Sequence, residues 1–282
     1  MSQDFTIQIY KKFINAILAK KYKILPCKNF FLFENGNNHL ITNNFITLRH
    51  DVDIRPLQSL AFAKIQFELG LHCTYYFRIV PSSFNEIIIK TISSLGHEIG
   101  YHYETMDLCK GDMDKAYTEF CKNLDRFRKI VPIETICMHG SPLSKFDNRA
   151  IWEKYDYKQL GIIGEPYFDL NFSKTCYLTD TGRRWDGGNY SVRDKPFTKT
   201  TLSYAIKKEV NTDAYSINKI KPNLWPKYHR TSEIINSIEN ESFPKQAMIT
   251  FHPQRWSDNN GRWATEFFSQ NIKNIFKRIF YV

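Results

Sequence analysis

The chain has 282 residues, of which 42% are hydrophobic, and it carries a formal net charge of +10 at pH 7. This composition is typical of a globular protein with a sizeable core and excludes an integral membrane segment, because no apolar run approaches the length of a membrane span. Lysines and arginines are interspersed with acidic residues, so the charge indicates solubility or attraction to an anionic small substrate, and no nucleic acid partner is expected.

Cysteines and the N-terminal residues indicate the compartment. The six cysteines include no Cys-x-x-Cys pair, which argues against a zinc ribbon and against a disulfide framework. The first residues, MSQDFTIQIYKKF, include Asp4 and lack the uncharged apolar core of a secretory signal. A cytoplasmic protein with reduced thiols is therefore expected.

Segments of strand composition alternate with segments of helical periodicity along the chain. The first half predicts, in order, the strand FITL (45–48), a helix from Pro56 to Gly70, the strand CTYYFRIV (73–80), a short helix (86–96), the strand HEIGYHYE (97–104), a helix (112–130) and the strand TICM (135–138). The second half predicts short strands and long loops over 161–196, an irregular stretch over 197–244, the strand AMITF (247–251) and a closing helix (263–280). This alternation predicts an α/β fold with a parallel sheet and right-handed crossovers, either a barrel or an open doubly wound sheet, in one domain.

The stretch TLRHDVD (47–53) places two carboxylates, Asp51 and Asp53, one residue apart at a strand end. Carboxylates that close repel each other, so a fold that holds both either offsets the repulsion with a cation or raises a pKa. Polar clusters also end or follow other predicted strands: HYE, HGS and HPQRW. Because the carboxyl ends of parallel strands meet at one edge, these clusters are expected to line one mouth. The residues concerned are His50, Asp51, Asp53, His102, Glu104, His139 and His252.

The motifs LRHDVD, GHEIGYHYE, MHGSPLS, TDTGRRWDGG and ITFHPQRW together resemble the polysaccharide deacetylase superfamily, also called the NodB-homology superfamily or carbohydrate esterase family four. The resemblance is to divergent members associated with surface-polysaccharide genes, and it covers about residues 45–280. It implies a distorted (β/α)7-type, NodB-like barrel, with residues 1–282 forming a single polysaccharide-deacetylase-like domain.

The resemblance implies roles for the residues at matching positions. Asp51 resembles the catalytic base, and Asp53 resembles the metal-binding aspartate of members that have Asp-x-Asp. His102 resembles the first histidine of the metal-binding His-x-x-x-His motif, whose second position is here Met106. His252 resembles the histidine that acts as general acid in the closing motif.

The third protein ligand of the metal therefore has to come from another position. His139 is the first choice because it follows a strand whose end faces the same mouth, and Glu104 is the second because it shares strand parity with His102. His97 lies an odd number of residues from His102, so it is expected to be a buried structural histidine on the other face. The same parity argument makes His50 a supporting or structural residue.

The segment TDTGRRWDGG resembles the family's loop that supports the catalytic base and walls the pocket. Asp180, Arg183 and Trp185 are expected to contact the substrate, since a sugar ring can stack on the indole while a guanidinium binds a carboxylate, a phosphate or the catalytic aspartate. Arg255, shortly after His252, is assigned to substrate binding in the same way.

The residue types suit metal-assisted hydrolysis of an amide. A divalent metal with three protein ligands keeps a position open for water and lowers the pKa of that water, while a nearby carboxylate can take its proton. Mixed nitrogen and oxygen ligation suits zinc, cobalt or nickel better than calcium, and zinc is expected. A histidine has an ordinary pKa near neutrality, so His252 suits protonation of the departing amine.

Together these features predict a metal-dependent hydrolase that removes an N-acetyl group from a carbohydrate. The substrate is expected to be nucleotide-linked or lipid-linked, because no export signal is visible. Two alternatives stay open: a hydrolase of another C–N bond, such as a cyclic amide, without the usual metal site, and a catalytically inactive carbohydrate-binding protein. Met106 favours the alternatives, whereas the retained aspartates and histidines favour the deacetylase.

Overall fold

The computed structural model describes residues 3–34, 44–141, 144–186 and 225–280. Among these residues, seven strands form one parallel sheet. In chain order the strands are β1 (Lys23–Ile24), β2 (Phe45–Val52), β3 (Thr74–Phe77), β4 (Glu98–Tyr103), β5 (Ile136–Met138), β6 (Cys176–Thr179) and β7 (Gln246–Phe251). The order across the sheet is β5-β4-β3-β2-β7-β6, and β1 pairs with the start of β2.

Helices precede, connect and follow the strands. They are α1 (Ile7–Ala19), α2 (Cys27–Glu34), α3 (Pro56–Glu68), α4 (Glu86–Ser94), α5 (Thr105–Leu108), α6 (Met113–Arg128), α7 (Pro166–Asp169), α8 (Thr231–Glu239) and α9 (Asn260–Phe280). Short 3-10 helices occur at Asn148–Glu153, Tyr157–Leu160 and Pro253–Arg255. Within the described ranges, none of the helices is long and apolar enough to cross a membrane.

Strand β2 lies inside the sheet, and all of its residues are buried. The sequence predicts a strand that ends at Leu48, but hydrogen-bonded ladders to β3 and β7 extend it to Val52. Arg49, His50 and Asp51 therefore lie within the strand and not after it. Because successive side chains of a strand point to opposite faces, Arg49 and Asp51 share one face and His50 lies on the other.

Most predicted elements between residues 45 and 138, together with the last strand and the last helix, coincide with observed elements to within a few residues. The α/β class and the parallel sheet are therefore confirmed. Strands β5 and β6 form the two ends of the described sheet and do not pair with each other, so closure into a (β/α)7 barrel stays a prediction. Predictions that fall on residues 187–224 lie outside the described residues.

Candidate functional site

Asp53 lies at the carboxyl edge of the sheet, one residue beyond β2, and three histidines surround its carboxylate. Its Oδ1 atom is 3.6 Å from His102 Nε2 and 3.7 Å from His139 Nε2. Its Oδ2 atom is 3.8 Å from His252 Nε2. The structure thus brings together side chains from the carboxyl ends of β2, β4, β5 and β7.

The Nδ1 atoms of His102 and His139 are held by hydrogen bonds away from Asp53. His102 Nδ1 donates to the carbonyl oxygen of Cys137 at 2.9 Å, on the neighbouring strand β5. His139 Nδ1 donates to the Glu104 carboxylate at 2.8 Å. These bonds leave the Nε2 atom of each ring directed toward Asp53. Metal-binding histidines are commonly oriented in this way, through the ring nitrogen that does not bind the metal.

The Asp53 carboxylate has the properties of a metal ligand. Its Oδ1 atom is buried and has no hydrogen-bond partner among the described residues, which is costly unless a cation completes the site. Ligand atoms that each lie about 2.0–2.2 Å from one zinc ion are no more than about 4.4 Å apart. The separations of 3.6 Å and 3.7 Å from the His102 and His139 Nε2 atoms satisfy that limit. Asp53 could therefore share a divalent ion with either histidine.

Electrostatics in the cluster favour a charged carboxylate. Burial alone would raise the pKa of Asp53, but His102, His252 and His139 hold that pKa well below its ordinary value. Burial alone would also lower the pKa of His102, but Asp51 and Asp53 raise it. The carboxylates and the imidazoles thus stabilise each other's charged forms, and a metal cation could take the place of the histidine protons.

Asp51 is paired with an arginine from its own strand. Arg49, two residues earlier on the same face, donates from Nε to Asp51 Oδ1 at 2.8 Å and from Nη2 to Oδ2 at 2.6 Å. Asp51, His102 and Cys137 also offer potential ligand atoms within 4.8 Å of one another. The buried Arg49 guanidinium would repel a cation bound beside Asp51, which counts against this group as a metal site.

Glu104 supports His139 and is itself held by an arginine. Arg78 donates to the Glu104 carboxylate from Nε at 3.0 Å and from Nη2 at 2.7 Å, and its Nη1 donates to the backbone oxygen of Asp53 at 3.2 Å. Burial would raise the pKa of Glu104, but His139 and Arg78 lower it to about 2. The Glu104 carboxylate is thus used in hydrogen bonds to Arg78 and His139, and it orients the His139 ring.

Asp180 is the buried acceptor at the centre of a second group of hydrogen bonds. It accepts from His252 Nδ1 at 2.5 Å, from the His252 backbone N–H at 2.9 Å and from Trp256 Nε1 at 2.7 Å. Arg255 Nη1 donates to the same carboxylate at 3.0 Å. Burial would raise the pKa of Asp180, but His252 and Arg255 hold it below its ordinary value. Asp180 and Arg255, both predicted to bind substrate, are thus used in orienting His252.

Arg183 and Trp185 lie apart from the cluster around Asp53. Trp185 is buried, and its Nε1 donates to Thr231 Oγ1 at 2.9 Å. Arg183 is buried as well, with Nη1 donating to the backbone oxygen of Trp263 at 3.0 Å and the guanidinium carbon 4.6 Å from the Trp263 ring centroid. This packing gives no support to the prediction that these two side chains bind substrate, and it places Arg183 against the C-terminal helix.

Three residues near the site were not selected from the sequence: Arg49, Arg78 and Gln254. Gln254 Nε2 donates to Asp53 Oδ2 at 3.2 Å. Arg49 could have been identified, because it stands at the same strand parity as Asp51. Arg78 follows β3 in a segment without a recognisable motif, so its contact with Glu104 could not be predicted from the sequence.

Two histidines were expected to be structural, and the structure agrees. His97 Nε2 donates to the backbone oxygen of Ala63 at 2.9 Å, while its Nδ1 accepts from the Cys73 backbone N–H at 3.2 Å. His50 is completely buried on the face of β2 opposite to Asp51. Met106, at the motif position where a second histidine was expected, is buried in α5.

The chain was compared with protein families, curated proteins and solved structures. No family model and no curated protein matches it. It is similar to the Streptococcus pyogenes deacetylase PplD solved in complex with acetate, with a TM-score of 0.43 and 14% sequence identity, over 52% of this chain and 68% of that chain. That degree of similarity does not fix a reaction, which has to be inferred from the side chains around Asp53.

Proposed function

We propose that the protein is a metal-dependent hydrolase that removes an N-acetyl group from a carbohydrate. The observation that carries the proposal is the convergence of three histidine Nε2 atoms on the Asp53 carboxylate, one oxygen of which is buried and unpaired. The resemblance of the sequence motifs to polysaccharide deacetylases supports the choice of an N-acetylated carbohydrate as the substrate.

Asp53, His102 and His139 would hold the metal, and its mixed oxygen and nitrogen ligands favour zinc. When bound, the metal supplies Lewis acidity toward the amide carbonyl and lowers the pKa of a water molecule. The hydrogen bonds from the Nδ1 atoms to Cys137 and Glu104 orient each ring so that its Nε2 atom could serve as the ligand.

Asp51 is the proposed general base. Its Oδ2 atom is 3.7 Å from His102 Nε2, so it lies beside the proposed metal ligands. Arg49 binds both oxygens and fixes the orientation of the carboxylate. Each carboxylate oxygen has a second lone pair, so Oδ2 can accept a proton from the attacking water while it stays bonded to Arg49.

His252 is the proposed general acid. Its Nδ1 atom donates to the buried Asp180 carboxylate, which fixes the orientation of the ring. Its Nε2 atom points toward Asp53 and so carries its proton into the site. An amine leaves an amide poorly unless it is protonated, and the proton on Nε2 is placed to pass to that nitrogen.

The test combines metal analysis with an acetate-release assay. The purified protein is expected to contain stoichiometric zinc or a similar divalent ion, and to release acetate from at least one member of a panel of N-acetylated sugars. Chelation should abolish the release, and added zinc should restore it. Sugar binding without any release would favour the inactive binding protein, and hydrolysis that survives complete metal removal would favour the alternative C–N hydrolase.

A further inference from the structure

Helix α9 exposes an apolar face and buries a polar one. Phe268, Ile272 and Ile275 recur at spacings of four and three residues, so they share one side of the helix, and they are 64%, 55% and 59% exposed. Glu266, Gln270 and Asn274 recur at spacings of four residues and are buried. A surface helix ordinarily turns its apolar side toward the core, so α9 has the reverse arrangement.

The buried side of the helix makes polar contacts with the loop at Gly182 and within the helix itself. Asn274 Nδ2 donates to the backbone oxygen of Gly182 at 2.9 Å, and Gln270 Nε2 donates to Glu266 Oε1 at 2.8 Å. Gly182 has a φ of +73°, and a Cβ atom there would lie only 2.7 Å from Asn274 Oδ1. The glycine therefore allows the close approach of the loop and the helix that keeps the polar side of α9 inward.

Helix α9 contacts segments that flank the candidate active site. Gly182 follows Asp180, the carboxylate that holds His252, and the side chain of Glu266 lies 3.9 Å from that of Arg55, two residues after Asp53. Other exposed apolar side chains follow the carboxyl ends of β2, β3 and β4. They are Leu57, Ile87 and Leu108.

The charge around this face is basic. Arg262 and Lys273 are exposed on α9, Arg55 is exposed beside it, and the whole chain has a net charge of +10. A contiguous exposed apolar surface marks a binding site. A second copy of the chain would bring like charges together, whereas a surface that combines apolar and anionic groups matches both features.

We infer that α9 is a docking surface for an anionic phospholipid bilayer, with the side chains of Phe268, Ile272 and Ile275 inserted at the level of the lipid headgroups and the basic residues bound to lipid phosphates. Docking of α9 would keep the edge of the sheet that carries Asp53 near the membrane, because Glu266 of α9 lies 3.9 Å from Arg55. The substrate would then be a carbohydrate attached to a lipid, and this assignment rests on the proposed hydrolase activity.

The test is flotation of the full chain with vesicles of phosphatidylcholine alone and of phosphatidylcholine containing phosphatidylglycerol. The wild type is expected to float with the anionic vesicles, and high salt is expected to weaken this binding. Replacing Phe268→Ser and Ile272→Ser together should lower the partition coefficient by about tenfold or more, because binding scales with the apolar area buried. The matched control is the double substitution Phe67→Ser and Leu69→Ser. Both side chains are exposed at the carboxyl-terminal end of α3.

Three results would overturn the inference: no binding of the wild type to anionic vesicles, equal binding by wild type and the α9 variant, or sedimentation that shows a dimer which the α9 substitutions dissociate. The third result would assign the face to a second copy of the chain. Vesicle binding does not depend on acetate release, so its failure and the failure of the proposed hydrolase activity are distinguishable. Release from a soluble N-acetyl sugar should be unchanged in the α9 variant.

Discussion

The two faces of strand β2 carry two polar clusters built from similar residues, and they differ in how completely their atoms are paired. On one face, His50 Nδ1 donates to the backbone oxygen of Thr74 at 3.0 Å, and its Nε2 accepts from Gln66 at 2.9 Å. Beyond the end of the other face, the Nε2 atoms of His102 and His139 approach Asp53 at 3.6 Å and 3.7 Å, which is too far for hydrogen bonds.

Complete pairing indicates a structural role, and convergent but incomplete pairing indicates a binding site. Burial lowers the pKa of His50 to about 3, so this ring is neutral and serves only as a donor and an acceptor. Asp51 and Asp53 raise the pKa of His102 instead, so the surroundings of this ring favour a positive charge, either a proton or a metal ion. Each prediction below tests one side of this difference.

The largest effect is expected from Asp53→Asn. The substitution keeps the size of the side chain but removes the charge and one carboxylate oxygen, so stoichiometric metal should be lost. Acetate release should fall by more than about a hundredfold. That loss is larger than the one expected when a residue that only orients a ligand is replaced. Metal analysis and kcat measure the two effects. The matched control is Asp186→Asn, because Asp186 pairs with Arg184 and His229 outside the site. Full metal content in the Asp53 variant would remove Asp53 from the ligand set.

The next effect concerns proton donation by His252. His252→Ala should lower kcat on an N-acetyl sugar by roughly a hundredfold to ten-thousandfold, since the amine departs without a proton. The loss on an aryl acetate should be much smaller, because a phenolate leaves unaided. His72→Ala, at an exposed histidine bonded to the backbone oxygen of Gly96, serves as the control. Equal losses on the two substrates would contradict the role of His252 as general acid.

A smaller effect is expected from the residue behind His139. Glu104→Gln removes the negative charge that orients His139 Nδ1 and should weaken metal affinity by about ten- to a hundredfold. Competition with a chromogenic chelator measures the affinity, and Glu86→Gln, at an exposed position in the first turn of α4, is the control. An unchanged affinity would show that Glu104 and His139 do not act together on the metal.

The part of the fold between residues 45 and 138 could be predicted from the sequence because its signals are local. Strand composition, helical periodicity and the Pro56 and Gly70 boundaries are readable in short windows. Helix α1 also carried a readable signal that was missed: Thr6 caps it, and Tyr10, Phe13 and Ile17 recur at helical spacing and are buried. Helix α8 fell in a stretch predicted to be irregular.

In the candidate site, too, some features could be predicted from local sequence and others could not. Asp53, His102, His139 and His252 were selected because each ends or follows a strand, and the fold brings them together. The hydrogen-bond partners of these residues depend on packing between distant segments. An example is Arg78, which donates to the backbone oxygen of Asp53 and to Glu104, because no spacing in the sequence reveals either contact.

The smallest effect on the site, and the clearest on stability, is expected from His50→Phe. The phenyl ring can replace the imidazole between Tyr75 and Phe251, with which His50 stacks, so metal binding and acetate release should stay unchanged. At pH 7 the variant should be less stable by about 1–3 kcal/mol, because Gln66 and the Thr74 carbonyl lose their partner.

The difference in stability between wild type and this variant should depend on pH. The pKa of His50 is lowered from 6.5 to about 3 in the fold, so below about pH 6.5 the unfolded chain takes up a proton that the folded chain does not. Wild type therefore loses stability as the pH falls, up to a limit of about 5 kcal/mol near pH 3, and the variant lacks this contribution. Urea denaturation at pH 7, 6 and 5, with metal removed from both proteins, should show the advantage of the wild type shrinking toward low pH. A difference in stability that stays constant with pH would mean that His50 has the same pKa in the folded and the unfolded chain. The two faces of β2 would then not differ in how they affect histidine protonation.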